Sequence, residues 1–233
     1  MAIIHNTTMS PGKLELLTAW LPAQPWYRGS GRQPRLTRAG GFRLDDPQGE
    51  VGIEFMAVTD VSGDRATTYQ VPLTYRGRAL AGASGALIGT AEHGVLRRRW
   101  IYDGTHDPVL VAQLVALMRG EAEPQAQRVS NTADPSVTSQ PVLSSSLTVT
   151  KSAATLSGPF GTDLQVETAD ADGSRSGQLT VRVKRILQPA GDRAQASEAG
   201  QPCLSGTWRL PNGAQTRGVF VTAWYAQPPA VEP

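Results

Sequence analysis

Two short stretches of the sequence set aromatic rings beside guanidinium groups. Trp26, Tyr27 and Arg28 are consecutive, between the prolines Pro22 and Pro25 and the glycines Gly29 and Gly31. Arg98, Trp100 and Tyr102 alternate, so on a strand they share one face, with Arg97, Arg99 and Ile101 on the other. An aromatic face next to a cation can stack on a sugar ring or anchor a protein partner. These six residues (Trp26, Tyr27, Arg28, Arg98, Trp100, Tyr102) are the candidate binding residues. Each set also has a structural reading. Trp26 can fill the gap between a first helix and a sheet. The second stretch can be an amphipathic strand whose arginine stems cover the sheet, with Trp100 and Tyr102 turned to the core beneath the Leu-rich segment that comes next.

Other reactive side chains do not assemble into a motif. Asp103, His106 and Asp107 could hold a metal, but they also suit a helix start, with Thr105 or His106 as cap and Asp107 at the positive end. Asp170, Asp172 and Gly173 make a turn; a calcium loop would need an acid where Val181 stands. Ser144, Ser145 and Ser146 have no partnered histidine to activate a nucleophile. Cys203 is the single cysteine, which excludes an intrachain disulfide and a cysteine metal cluster, and it reads as a small filler beside a strand. The expectation is a chain with no catalytic residue, no metal and no cofactor.

Charge and composition narrow the class further. The net charge of +2 gives no basic field for bulk nucleic-acid binding. Of 22 basic residues only Lys13, Lys151 and Lys184 are lysine; the arginine bias fits either a GC-rich coding sequence or recognition of anions. The stretch Met1 to Lys13 lacks the basic start and apolar run of a signal peptide. No segment reaches the ~18 apolar residues of a membrane helix. A cytoplasmic protein is expected, with no membrane or nucleic-acid partner.

The elements that must position these residues can be read from periodicity. Leu14, Leu17 and Leu21, widened by Leu16 and Trp20, predict a short helix capped by Ser10 with Pro11 in its first turn. A strand is expected near Leu36 to Leu44. Val51 to Thr59 and Thr67 to Tyr75 alternate around the turn Ser62-Gly63-Asp64 and predict a hairpin. Pro72 cannot donate to a ladder, which argues for an edge or a bulge there. Ala79 to Gly94 reads as loop, Val95 to Tyr102 as strand. A helix then opens at Asp107-Pro108, carries Leu110, Val111, Leu114, Leu117 and Met118 on one face, and ends at Gly120. The 24 glycines and 17 prolines in 233 residues, above the roughly 12% average for the two together, favour short strands over a helical bundle.

The predicted fold class is α+β: a curved antiparallel sheet with flanking helices over residues 1–120. A Pro, Gln, Ser and Thr-rich linker is expected over 121–146. A small, mostly β part should come next over 147–226, with strands at Leu147 and Val149, Leu164 and Val166, and Leu179 to Val183. Trp208 to Tyr225 should form a hairpin around Pro211-Asn212-Gly213, after a loop from Pro189 to Pro202. A disordered tail is expected over 227–233.

The run Leu21-Pro22-Ala23-Gln24-Pro25-Trp26-Tyr27-Arg28-Gly29 resembles the opening of actinobacterial maltokinases, which phosphorylate maltose. Tyr69-Gln70-Val71-Pro72-Leu73-Thr74-Tyr75-Arg76 is similar to the Val-Pro-Leu strand of their N-terminal cap. Trp100-Ile101-Tyr102-Asp103, followed by Asp107-Pro108 and an apolar helix, is similar to the cap's last strand and helix. The resemblance spans Leu14 to Gly120 and implies a cystatin-like cap. The whole chain resembles short stand-alone actinobacterial proteins with this cap, often labelled 1,4-alpha-glucan branching proteins. The kinase's own chemistry does not carry over. No His-Gly-Asp or Asp-Phe-Glu string is present, His93-Gly94 being followed by Val95, and phosphoryl transfer needs such acids and a phosphate cradle. The chain also stops short of a catalytic lobe. Lys184 within Leu179 to Pro189 faintly resembles a nucleotide-lobe lysine and reads equally as a solvated strand residue. A branching enzyme would need an α/β barrel with paired carboxylates, for which the chain has no room. The resemblance therefore implies a non-catalytic accessory or regulatory module of α-glucan, maltose, trehalose or glycogen metabolism that docks to an enzyme. The alternative is a carbohydrate- or small-ligand-binding module, and an enzyme of unrecognised type, kinase-related or glucan-branching, stands third.

Overall fold

The run Gly52–Asp60 is buried on both faces of its strand, and this shapes the architecture around it. The computed structural model describes residues 9–29, 31–129, 131–140, 143, 148–169, 176–191 and 201–225, except the side chains of 151–153. In chain order the elements begin with β1 (Met9–Ser10), α1 (Lys13–Trp20), β2 (Leu36–Leu44), β3 (Gly52–Asp60), β4 (Thr67–Arg76), β5 (Leu87–His93), β6 (Arg97–Asp103) and α2 (Pro108–Met118). They continue with β7 (Gln125–Ala126), β8 (Thr138–Gln140), β9 (Thr148–Gly158), β10 (Gly161–Ala169), β11 (Ser176–Val183), β12 (Ile186–Leu187), β13 (Cys203–Arg209) and β14 (Gln215–Tyr225). The antiparallel sheet dominates, and the two helices are minor flanking elements.

The predicted β3–β4 hairpin forms, but its two apolar sets do not share a face. The register sets Met56 against Val71 and Phe55 against Pro72. Val51, Ile53, Phe55 and Ala57 therefore join a cluster with α2 residues Leu110, Val111 and Leu114. Tyr69, Val71 and Leu73 join Met56, Val58 and, from α1, Leu17 on the other side. The sheet is covered on both faces, one helix to each, so no alternation of apolar and polar residues could mark an inner face.

Pro72 is at neither an edge nor a bulge. β4 lies between β3 and β6 in the sheet. β6 pairs with Leu73–Arg76 and β12 with Thr68 and Tyr69, and Pro72 falls in the gap between them. The Gln70 amide donates to the Arg185 carbonyl, so the nitrogen two residues on points the same way, into that gap, where the missing donor costs nothing.

Three further expectations are corrected. Ser10 does not cap α1: it belongs to β1, paired with Glu92. The N-cap is Gly12, whose amide donates to Glu15 Oε2 at 3.3 Å. The segment expected as loop between Ala79 and Gly94 contains β5, a strand paired to β1 and β6 whose mixed exposure hides its period. Neither Thr105 nor His106 caps α2: Asp107 does, accepting from the Val109 amide at 3.0 Å, with Pro108 in the first turn.

The described residues of 121–146 are packed rather than extended away. β7 pairs with β2 and β8 with β13, while Val137 and Leu143 are buried in the core shared by both halves of the chain. The last strands close a circuit on the first. β4, β3 and β2 are followed by β13 through the pair Trp208 and Gly40, then by β14. The segment 184–190 completes the ring: the Lys184 and Ala190 amides donate to the Phe220 and Arg217 carbonyls of β14, and β12 pairs with β4. Phe42, Phe55, Trp208 and Phe220 fill the interior, with Phe42 stacked on Phe55 at 4.6 Å. The Ser144 to Ser146 run, Leu147, the Asp170-Asp172-Gly173 turn, part of the Pro189 to Pro202 loop and the tail after Gln227 lie outside the described residues.

Candidate functional site

The two aromatic stretches are placed very differently from a shared platform. Trp26 is 1% exposed. Its ring lies 5.7 Å from Trp20 and 5.9 Å from Tyr69, with the Arg185 guanidinium 4.9 Å over it. It fills the gap between α1 and the sheet. The Tyr27 hydroxyl donates to Asp60 Oδ2 at 2.7 Å; burial, and then this carboxylate, push its pKa upward. Arg28 is exposed and offers only its backbone amide, to the Tyr69 hydroxyl.

Along β6 exposure falls from one end to the other. Arg98 is exposed and pairs with Glu92 at 2.9 Å. Trp100 is half-buried against Leu80, Ala83 and Ala86. Tyr102 is 2% exposed, and its hydroxyl accepts from the Leu80 amide at 2.9 Å. The cover here is the segment before β5, not α2. The next acids along the chain are held by arginines: Asp103 by Arg185 at 2.5 Å, and Asp107 by Arg76 through two bonds of 2.6 Å. His106 is exposed. Cys203 is half-exposed at the start of β13, its thiol donating to the Gln140 carbonyl.

A different group of residues forms a built site. Glu54 is 3% exposed on β3. Its Oε2 accepts from Lys13 Nζ of α1 at 2.5 Å and from the Tyr75 hydroxyl of β4 at 2.6 Å. Its Oε1 accepts from Gln127 Nε2 at 2.7 Å. Burial alone would raise this carboxyl's pKa; Lys13, Tyr75 and the nearby Arg38 outweigh it and hold the group below its ordinary value. Tyr75 is pushed up by burial and by the Glu54 charge, and the Lys13 ammonium sits 5.1 Å from its ring centroid. This quartet lines the inner part of a cleft of about 910 Å³ bordered by Met9, Leu14, Arg38, Arg43, Leu96 and Arg99. Through its bond to Lys13 the carboxylate ties α1 to the sheet.

Sequence reasoning missed this site because Lys13, Glu54, Tyr75 and Gln127 sit in four separate segments. One signal was present: Glu54 interrupts the apolar run from Ile53 to Val58, and a charge inside a doubly covered strand must be paired.

The comparisons with known proteins fit this layout. Residues 20–107 match the maltokinase N-terminal cap domain, spanning the end of α1 through the N-cap of α2. No curated protein matches the chain. Among the described residues no helix is long and apolar enough to cross a membrane. The cap match ties the chain to maltokinase-related α-glucan metabolism.

Proposed function

We propose that this protein is a non-catalytic accessory module of bacterial α-glucan or maltose metabolism that acts by docking to an enzyme of that metabolism. The match of residues 20–107 to a maltokinase cap carries the reading. The geometry supports it. The acids nearest the end of the matched region, Asp103 and Asp107, are each bonded to an arginine. The Glu54 carboxylate accepts three hydrogen bonds. The carbohydrate-binding alternative draws less support, because Trp26 and Tyr102 are buried and offer no open ring face.

The test uses the full chain. Purified protein is incubated with ATP and maltose, and separately with amylose, and is then run by size exclusion with purified maltose-phosphorylating and glucan-elongating enzymes. Co-elution with one of them, and no turnover above blank, is the expected result. Maltose phosphorylation or amylose branching that disappears on substituting a residue of this chain would overturn it.

A further inference from the structure

The cleft above Glu54 has an excess of donors that nothing in the described chain uses. Elsewhere in the described chain, Arg76, Arg182 and Arg185 each meet a carboxylate within 2.6 Å. Arg38, Arg43 and Arg99 line the cleft, and none makes an ion pair among the described residues. Arg38 is exposed at the rim. Arg43 is half-buried, with Nε on the Ala126 carbonyl at 3.2 Å and Nη2 enclosed without an acceptor. Arg99 is half-buried, and its Nε is likewise enclosed without an acceptor. Desolvation destabilises the charged form of both Arg43 and Arg99, and for Arg99 no opposing acid acts on it.

The acids of the same wall are already taken or turned outward. Glu54 already accepts from three donors. Asp46 accepts from the amides of Gln48, Glu50 and Val51. Glu15 reaches back to the Gly12 amide, and Glu50 is exposed. Enclosed guanidinium nitrogens without an acceptor are unfavourable: Arg43 feels the charges of Asp45 and Glu54 and Arg99 feels no acid, yet each keeps one such nitrogen, and exposed Arg38 joins them around one concavity. The volume is within the range of small-molecule sites. The planar fork of arginine matches the oxygens of phosphate and carboxylate groups.

We propose that this cleft is a binding site for a small oxyanionic ligand, a phosphate or carboxylate compound, clasped by Arg38, Arg43 and Arg99 above the Glu54–Lys13–Tyr75 floor. The Tyr75 ring and the side chains of Leu14 and Leu96 supply an apolar wall for the ligand's body. This reading is independent of the docking function.

Titration calorimetry on the full chain tests it, with pyrophosphate and succinate as separate probes and sodium chloride of matched ionic strength as the blank. Saturable binding of either probe beyond the blank is expected, and the stronger probe tells phosphate from carboxylate chemistry. Arg38→Ala and Arg99→Gln should each weaken it roughly tenfold or more, the loss of one charge-assisted contact. Arg98→Ala, on the opposite face of β6 and paired with Glu92, should leave it unchanged. Arg38 is exposed, so its variant stays folded, and a melting curve verifies this for Arg99→Gln. Binding of neither probe, or binding that both cleft variants retain, overturns the proposal.

Discussion

Arg185 is a fully buried guanidinium whose loss of partner should be costly. It lies between β11 and β12, is 0% exposed, and donates from Nη2 to Asp103 Oδ2 at 2.5 Å and to the Thr105 hydroxyl at 3.0 Å. Its Nε donates to the Thr162 hydroxyl at 2.8 Å, and its Nη1 is enclosed without an acceptor. Asp103→Ala removes its carboxylate and leaves two neutral hydroxyls to hold a buried charge. Breaking a buried pair in this way costs about 3–5 kcal/mol. At about 2–4 °C per kcal/mol for a chain of this size, the melting temperature should fall by roughly 6–20 °C. Replacing both partners with apolar residues (Asp103→Leu with Arg185→Met) removes the charge as well as the bond, and should recover most of that loss. Thermal melts of wild type, both single variants and the double form the cycle. Asp103→Ala melting within two degrees of wild type, or a double variant as unstable as the sum of the singles, would refute the argument.

Glu54 sets an acid limit on stability. Its folded pKa lies below the ordinary value, so its contribution is present above the unfolded pKa of about 4.3 and is lost as pH falls through the lower folded value. Glu54→Gln should be less stable at neutral pH and show a flatter stability profile below about pH 4; urea melts across that range with equal slopes for both proteins would contradict this. Trp100→Ala should cost about 1–3 kcal/mol, below the roughly 3–5 kcal/mol of a fully buried aromatic, because Trp100 is half-buried; a melt unchanged from wild type would make this face an open binding surface again. Gly218→Ala sets a Cβ 2.3 Å from the Gln188 carbonyl and 2.8 Å from the Trp208 ring. It should lower the melting temperature and speed amide exchange at Lys184 and Ala190, and protection equal to wild type would show that the contact can yield.

Much of the first half was legible because it is built from local periodicity. β2 occupies the predicted Leu36 to Leu44, and α2 carries the predicted apolar face from Leu110 to Met118. The β13–β14 hairpin is set by Pro211-Asn212-Gly213, where Gly213 takes φ +84°. Where the readings failed, the missing information was non-local. Pro72 suggested an edge because its partner strands, β6 and β12, come from distant parts of the chain. The 121–146 stretch has few large apolar residues, yet Gln125–Ala126 and Thr138–Gln140 pair through backbone, which composition does not reveal. The aromatic residues were singled out by type, but type does not distinguish Trp26 as a buried filler from Trp26 as a platform. The cleft was hidden because its charges converge only after α1, β2, β3 and β6 have assembled.

The cap-like strands depend on the C-terminal strands for reasons that can be traced to single atoms. Gln70, within the strand run that resembles a maltokinase cap, is 0% exposed. Its side-chain amide donates to the carbonyls of Phe220 and Lys184, both from the later β part. Stripped of those partners, the amide would face a void or force water among Phe42, Phe55 and the sheet, a cost of about 1–3 kcal/mol for one buried polar group. Phe42, stacked on Phe55, would in the same step lose the Phe220 ring and the wall continued by Trp208. The Asp103 carboxylate would lose Arg185. Each of these groups lies within residues 20–107, and each is completed by a residue beyond 180. The later strands therefore act as the missing wall of the cap-like sheet: they close its open side with backbone pairs and satisfy its buried polar groups. Under the proposed docking function, the docking surface is to be sought on the outside of this closed ring, where Arg28 and the exposed end of β6 at Arg97 and Arg98 remain in solvent.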